Sequence, residues 1–168
     1  MKLKSLQIVP RGENGWGTKE LTFANAITQL YGANGTGKTP LVKSLAFCLG
    51  YPSIFRDDIY LHCSSAILTI LIGKYKLERK YQNDFDITIY EPTDTIQHFY
   101  TESDYSKYIF ELIGYDFPHL VSIRNEATQP YLSTILPIFY LDQDHGYDDF
   151  YKAPTNFIKD QFSEMIRV

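Results

Sequence analysis

Residues 26–39 read Ala-Ile-Thr-Gln-Leu-Tyr-Gly-Ala-Asn-Gly-Thr-Gly-Lys-Thr. The first six are a short apolar run with strand character. The last eight fill every fixed position of Gly-x-x-x-x-Gly-Lys-Thr. Residues 38–49 then place Leu41, Val42, Leu45, Ala46 and Leu49 at helical spacing, and Gly50 and Pro52 stop that helix. Strand, glycine-rich loop and helix, in that order, form the context in which such a loop holds phosphate.

The chemistry follows from the residue types. Gly32, Gly35 and Gly37 permit backbone conformations that turn successive N–H groups, including those of Ala33, Asn34 and Thr36, inward around a polyphosphate. Lys38 extends to the terminal phosphates as a point charge, Thr39 offers its hydroxyl to Mg²⁺, and the positive end of the following helix adds to the attraction. The pattern specifies a nucleotide such as ATP without specifying a reaction. Pro40 departs from the usual pattern, because proline has no N–H to offer an α-phosphate. Its fixed φ suits a first helical turn, so binding is expected to survive with one contact fewer.

Outward from the loop, residues 2–9 and 19–23 read as a hairpin around the glycine-rich turn Arg-Gly-Glu-Asn-Gly-Trp-Gly. Between 65 and 100 four strand-like runs are separated by Gly73, Gln82-Asn83-Asp84 and Pro92-Thr93-Asp94, which predicts an antiparallel meander. A helix is predicted over 103–113, ended by Gly114, with Thr101 or Ser103 as its cap. A shorter helix is predicted near 129–136, with Pro130 in its first turn. Residues 138–141, Ile-Phe-Tyr-Leu, read as an apolar strand running into Asp142, Gln143, Asp144 and His145. A last helix over 155–168 spaces Ile158, Phe162 and Met165 by four and three residues, which suits the start of a coiled coil.

Composition bounds these expectations. An apolar fraction of 44% with 15% aromatics excludes a disordered chain, and the length suits one domain or one lobe of a larger one. The net charge of −4 gives no whole-chain basic field, so any DNA contact needs a local patch or a partner. Cys48 and Cys63 lack metal-ligand spacing and read as buried thiols. With no secretory signal pattern and no window resembling a membrane span, a cytoplasmic location without membrane contact is expected.

The layout of hairpin, strand, Tyr-Gly-Ala-Asn-Gly-Thr-Gly-Lys-Thr and a helix ending Phe-Cys-Leu-Gly resembles the amino-terminal half of an SMC-like, ABC-type ATPase head, the group of chromosome-structure and double-strand-break-repair ATPases. Asn34, Leu49, Gly50 and the meander containing Tyr-Lys-Leu-Glu-Arg at 75–79 carry the likeness. The resemblance implies an α/β P-loop lobe spanning 1–168 with an attached antiparallel sheet. It implies ATP and Mg²⁺ as ligands, and Gln143 as the Q-loop residue that joins Thr39 at the metal and positions the attacking water. Lys38 and Gln143 are then the catalytic candidates. Arg11 and Trp16, in the first turn, stand where such proteins place a phosphate-reaching cation or a base-stacking aromatic; packing of Trp16 on the sheet is the equal alternative. The signature and the catalytic carboxylate are implied to come from a carboxy-terminal half or from a second head that dimerises around nucleotide. ATP hydrolysis is therefore expected only in the completed site, with a role in repair, chromosome organisation or anti-phage defence.

Two other classes stay open. With Ile138-Phe139-Tyr140-Leu141-Asp142 as a Walker B strand, the chain would be a stand-alone P-loop kinase or NTPase, although its five arginines are scattered along the sequence. The third class is an interaction module that binds nucleotide without turning it over. Lys74, Lys76, Arg79 and Lys80 are the local candidates for DNA, against their reading as a solvated strand face, and Arg56 is a weaker one. The pairs His62-Cys63 and Asp142/Asp144-His145 lack a recognised ligand spacing.

Overall fold

The computed structural model describes residues 2–71, 74–116, 119–129, 131–141, 158–160 and 163. It divides the chain into two compact units, Met1–Cys48 with Ser53–Thr101, and Leu49–Pro52 with Glu102–Val168. The class is α/β with an antiparallel sheet.

The first unit is built on six strands: β1 (Leu3–Pro10), β2 (Leu21–Thr22), β3 (Cys63–Ile70), β4 (Tyr75–Lys80), β5 (Ile87–Tyr90) and β6 (Ile96–Phe99). They lie in the order β2-β1-β3-β4-β5-β6, and every pairing is antiparallel. Period-two alternation sets the register, because a slip of one residue would carry each apolar row to the other face. Leu6, Leu68, Leu77 and Ile89 stand opposite one another across four strands and are all buried. Ile8, Ala66, Arg79 and Ile87 form the next row on the same face.

The helix α1 (Lys38–Cys48) packs on β3 and β4 and buries Ser44, Ala46, Phe47 and Cys48. Its end is marked by Gly50, whose φ of 99° is left-handed backbone that glycine adopts without strain. A short helix, α2 (Asp57–His62), leads directly into β3. In the second unit α3 (Glu102–Ile113) ends at Gly114, with φ 79°. A hairpin of two-residue strands follows, β7 (Leu120–Val121) with β8 (Ala127–Thr128), and then α4 (Leu132–Ile135) and a 3-10 turn, Leu136–Ile138. The Ser106 hydroxyl accepts the Leu132 N–H at 2.9 Å and the Glu102 carboxylate accepts that of Ser133 at 3.3 Å, which fixes the start of α4 on α3.

The hairpin, the meander, α1 and α3 form where the sequence places them. Two predicted strands do not. Residues 26–31 run outside the sheet, with the Ala24 N–H turned onto the Thr28 hydroxyl at 2.8 Å. An apolar run becomes a strand only beside a partner, and the described residues offer it no ladder. Residues 138–141 instead close the 3-10 turn, in which the Phe139 and Tyr140 N–H groups both reach the Leu136 carbonyl at 2.8 Å and Pro137 suits the tight backbone. The predicted helix over 155–168 lies outside the described residues except at 158–160 and 163, where Ile158 bridges to Ser122. Among the described residues no helix is long and apolar enough to cross a membrane.

Candidate functional site

The loop at 32–37 passes into α1 at Lys38 with no intervening residue. Gly35 and Gly37 hold φ of 80° and 82°, angles that strain any other residue. A Cβ at either position would meet nothing within 4 Å, so it is the backbone angle that demands glycine there. Residues Gly32, Ala33, Asn34, Gly35 and Thr36 are exposed, and Gly37 to Pro40 are half-buried.

The Lys38 ammonium folds back over this loop, donating to the carbonyls of Gly32 at 2.8 Å and Ala33 at 2.6 Å. The Thr36 hydroxyl also donates to the Ala33 carbonyl, at 2.9 Å. An ammonium has three N–H groups. Two hold the loop closed, and the third remains for an anion. The Leu41 N–H reaches the Gly37 carbonyl at 3.2 Å, which closes the first turn of α1 around Pro40 and Thr39. Left-handed glycines, a lysine at the loop and a helix N-terminus fit a polyphosphate. Thr39 is the only residue of the proposed metal pair that is described, since Gln143 lies outside the described residues along with Asp142, Asp144 and His145. No group of three His, Cys, Asp or Glu side chains suited to a metal occurs among the described residues.

Beneath the loop, α1 is fastened to β4 by Arg79, whose inward placement the sequence reading missed, and by Tyr81, a core residue as its type suggests. Arg79 is buried; its Nη1 donates to the Phe47 carbonyl at 2.6 Å, and its guanidinium lies 3.9 Å from the Phe47 ring centroid and 4.7 Å from that of Phe85. A cation at the carboxy-terminal end of α1 complements the helix dipole. Tyr81 stacks on Phe47 at 5.3 Å and meets Phe55 edge-on at 5.1 Å. Burial pushes its phenol above the ordinary range, so the hydroxyl stays protonated. Both residues continue the inward alternation Tyr75, Leu77, Arg79, Tyr81, which for a charged residue decides the face only once the register is known.

No protein family, curated protein or solved structure matches this chain.

Arg11 and Trp16 lie in a tightly closed turn. The N–H groups of both reach the His62 carbonyl, at 2.9 and 2.8 Å, and a Cβ on Gly15 would come within 2.7 Å of that same oxygen. The Trp16 indole, 48% exposed, stacks on the His62 ring at 4.4 Å. The Arg11 guanidinium donates to the carbonyls of Cys63 and Tyr81 at 3.3 and 3.4 Å, bonds it would surrender to reach a phosphate.

The basic row proposed for DNA is reduced in the fold. Arg79 points into the core. Lys80 pairs with Asp86 at 2.6 Å, and that hydrogen bond raises its pKa further. Lys74 and Lys76 remain exposed. Glu78, between them and Lys80, accepts the Ser65 hydroxyl at 2.6 Å and the Tyr90 hydroxyl at 2.8 Å, the second of which lifts the Tyr90 phenol to about 12. Both cysteines are buried thiols, and burial pushes Cys48 up to about 12, beyond reactivity at neutral pH.

Proposed function

We propose that residues 32–39 bind ATP with Mg²⁺, and that the chain acts as the amino-terminal lobe of an SMC-like ATPase head, completed by a carboxy-terminal half or a second head. The observation that carries this is the loop itself: Gly35 and Gly37 at left-handed φ, entering α1 directly, with Lys38 drawn over the Gly32 and Ala33 carbonyls. Backbone donors and the helix N-terminus attract phosphate oxygens, Lys38 neutralises charge on the terminal groups, and the Thr39 hydroxyl is the protein's own ligand for the metal. ATP, when bound, supplies the phosphoanhydride that the completed head would cleave. Gln143 would orient the water, while the partner would contribute the signature and the catalytic carboxylate.

The need for a partner is supported by residues 26–31, an apolar strand-like run without a ladder in which Ile27 is 85% and Tyr31 90% exposed. The stand-alone kinase alternative has less support, since residues 138–141, which would be its Walker B strand, close a 3-10 turn instead.

Titration with a fluorescent ATP analogue tests the nucleotide site. Saturable, Mg²⁺-dependent binding is expected, weakened at least about tenfold by Lys38→Ala, the loss of a charge-assisted contact. A wild-type chain that gives no saturable binding would end the proposal.

We extend the proposal to DNA, as a substrate surface of the whole head, with Lys74 and Lys76 as this lobe's contribution. Their joint replacement by Ala is expected to lower the slope of log affinity against log salt by about two, one per phosphate contact. An unchanged slope removes DNA contact from this strand pair.

A further inference from the structure

We infer that Tyr81 is a positioning residue for the nucleotide loop, acting through Ser44 on the first turn of α1; this inference rests on the nucleotide-binding proposal above. The Ser44 hydroxyl donates to the Pro40 carbonyl at 2.6 Å and lies 2.6 Å from the Tyr81 hydroxyl. Serine has one O–H to give, and the Pro40 carbonyl takes it. Tyr81 must therefore be the donor to Ser44. The result is a directed chain, Tyr81 O–H to Ser44 Oγ–H to Pro40 C=O, leading from the end of β4 to the residue after Thr39.

The far end of this chain is fixed from several sides. The Tyr81 N–H reaches the Ser64 carbonyl at 2.9 Å, its ring is stacked on Phe47 and set edge-on against Phe55, and the residue is 2% exposed. The near end is the part of a helix that frays most readily, since its first N–H groups lack intrahelical partners. At a rise of about 1.5 Å per residue, the Pro40 carbonyl sits within about 3 Å along the axis of the backbone carrying Lys38 and Thr39. Holding that carbonyl holds the turn that presents both side chains.

Stability alone does not call for the two hydroxyls. Removing both, by Ser44→Ala together with Tyr81→Phe, would leave an aromatic core of nearly equal worth, because replacing both partners of a buried hydrogen bond by apolar groups of the same shape is close to neutral. What the pair adds is direction. It ties the sheet to the loop at one defined oxygen.

The test uses Tyr81→Phe, Ser44→Ala and the double variant, each in the full chain. Without nucleotide, amide hydrogen exchange at Leu41 and Val42 is expected to quicken roughly fivefold, the equivalent of one lost hydrogen bond, while exchange at 45–48 holds. Titrated with the fluorescent ATP analogue, all three variants should lose roughly fivefold in affinity with Mg²⁺ present, and less without it, because Thr39 is the metal's ligand. The double variant should be no worse than the singles, as befits one chain of bonds. A lowered melting temperature with unchanged Mg²⁺-dependent affinity would make the pair merely structural and overturn the inference. So would unchanged exchange at Leu41 and Val42, whatever the nucleotide result. A wild-type chain that binds no nucleotide would instead strike the underlying proposal, leaving the exchange measurement to report on the positional claim by itself.

Discussion

Pro40 stands third in α1, directly after the threonine proposed to meet the metal, and two opposing effects meet there. Its ring restricts the unfolded chain, which stabilises the fold by about 0.4–1 kcal/mol when the native φ suits proline. It also removes an N–H at a helix start, where a donor to a phosphate would be worth about 1.5–3 kcal/mol as a bond to a charged acceptor. The second effect is larger, so Pro40→Ser is expected to tighten ATP binding by about tenfold while lowering the unfolding free energy by less than about 1 kcal/mol. The Pro40 carbonyl, which Ser44 holds, has its counterpart in that variant, since every residue carries one. Equilibrium titration alongside denaturant unfolding checks both signs, and unchanged or weaker ATP binding would show that the missing N–H is not a lost phosphate contact. Binding can persist without that N–H because Lys38 still has one N–H to give, and the backbone angles at Gly35 and Gly37 are set ahead of the helix.

At the scale of elements, the parts legible in the sequence are those whose partners lie close along the chain. The strands β3 to β6 are joined by short turns, and Asp94 at φ 58° shows the Pro92-Thr93-Asp94 cluster making a left-handed turn, as its composition suggests. The pairing of β1 with β3 joins segments far apart along the chain, and nothing in either alternation names the other. The six-residue α2 is too short for helical periodicity to emerge, and β7 and β8 have two residues each. The run 26–31 misleads for a different reason: strand propensity is local, whereas a strand is a property of a pair. The loop is legible because its proposed function resides in glycine backbone and one lysine. Arg79 beneath it is not, because an arginine in an alternating strand reads as a surface charge until cross-strand register sets it beside Ala66 and Ile87.

For the molecule as a whole, the exposed apolar run before the loop would, in the proposed head, link nucleotide binding to assembly. Burying Ile27 and Tyr31 fully would yield about 1.5–3 kcal/mol each, and Leu30, already more than half covered, would yield less. Association costs about 4–15 kcal/mol in lost freedom. Those three side chains therefore give at best a weak union, and a stable one needs further contacts, which nucleotide held between the partners would provide. A carboxy-terminal lobe supplied as a second polypeptide is thus expected to bind weakly alone and at least about tenfold more tightly with Mg²⁺ and ATP, as expected for linkage between two ligands. Amides at 27–31, which lie outside any ladder in this chain, should exchange quickly in isolation and gain protection in that ternary assembly. Replacing Ile27 and Tyr31 by Asp should leave the melting temperature within a few degrees of the parent, since both are exposed, yet abolish the assembly and any hydrolysis that depends on it. Hydrolysis by the mixed polypeptides with fast exchange retained at 27–31, or undiminished by the double Asp variant, would show that the partner docks elsewhere.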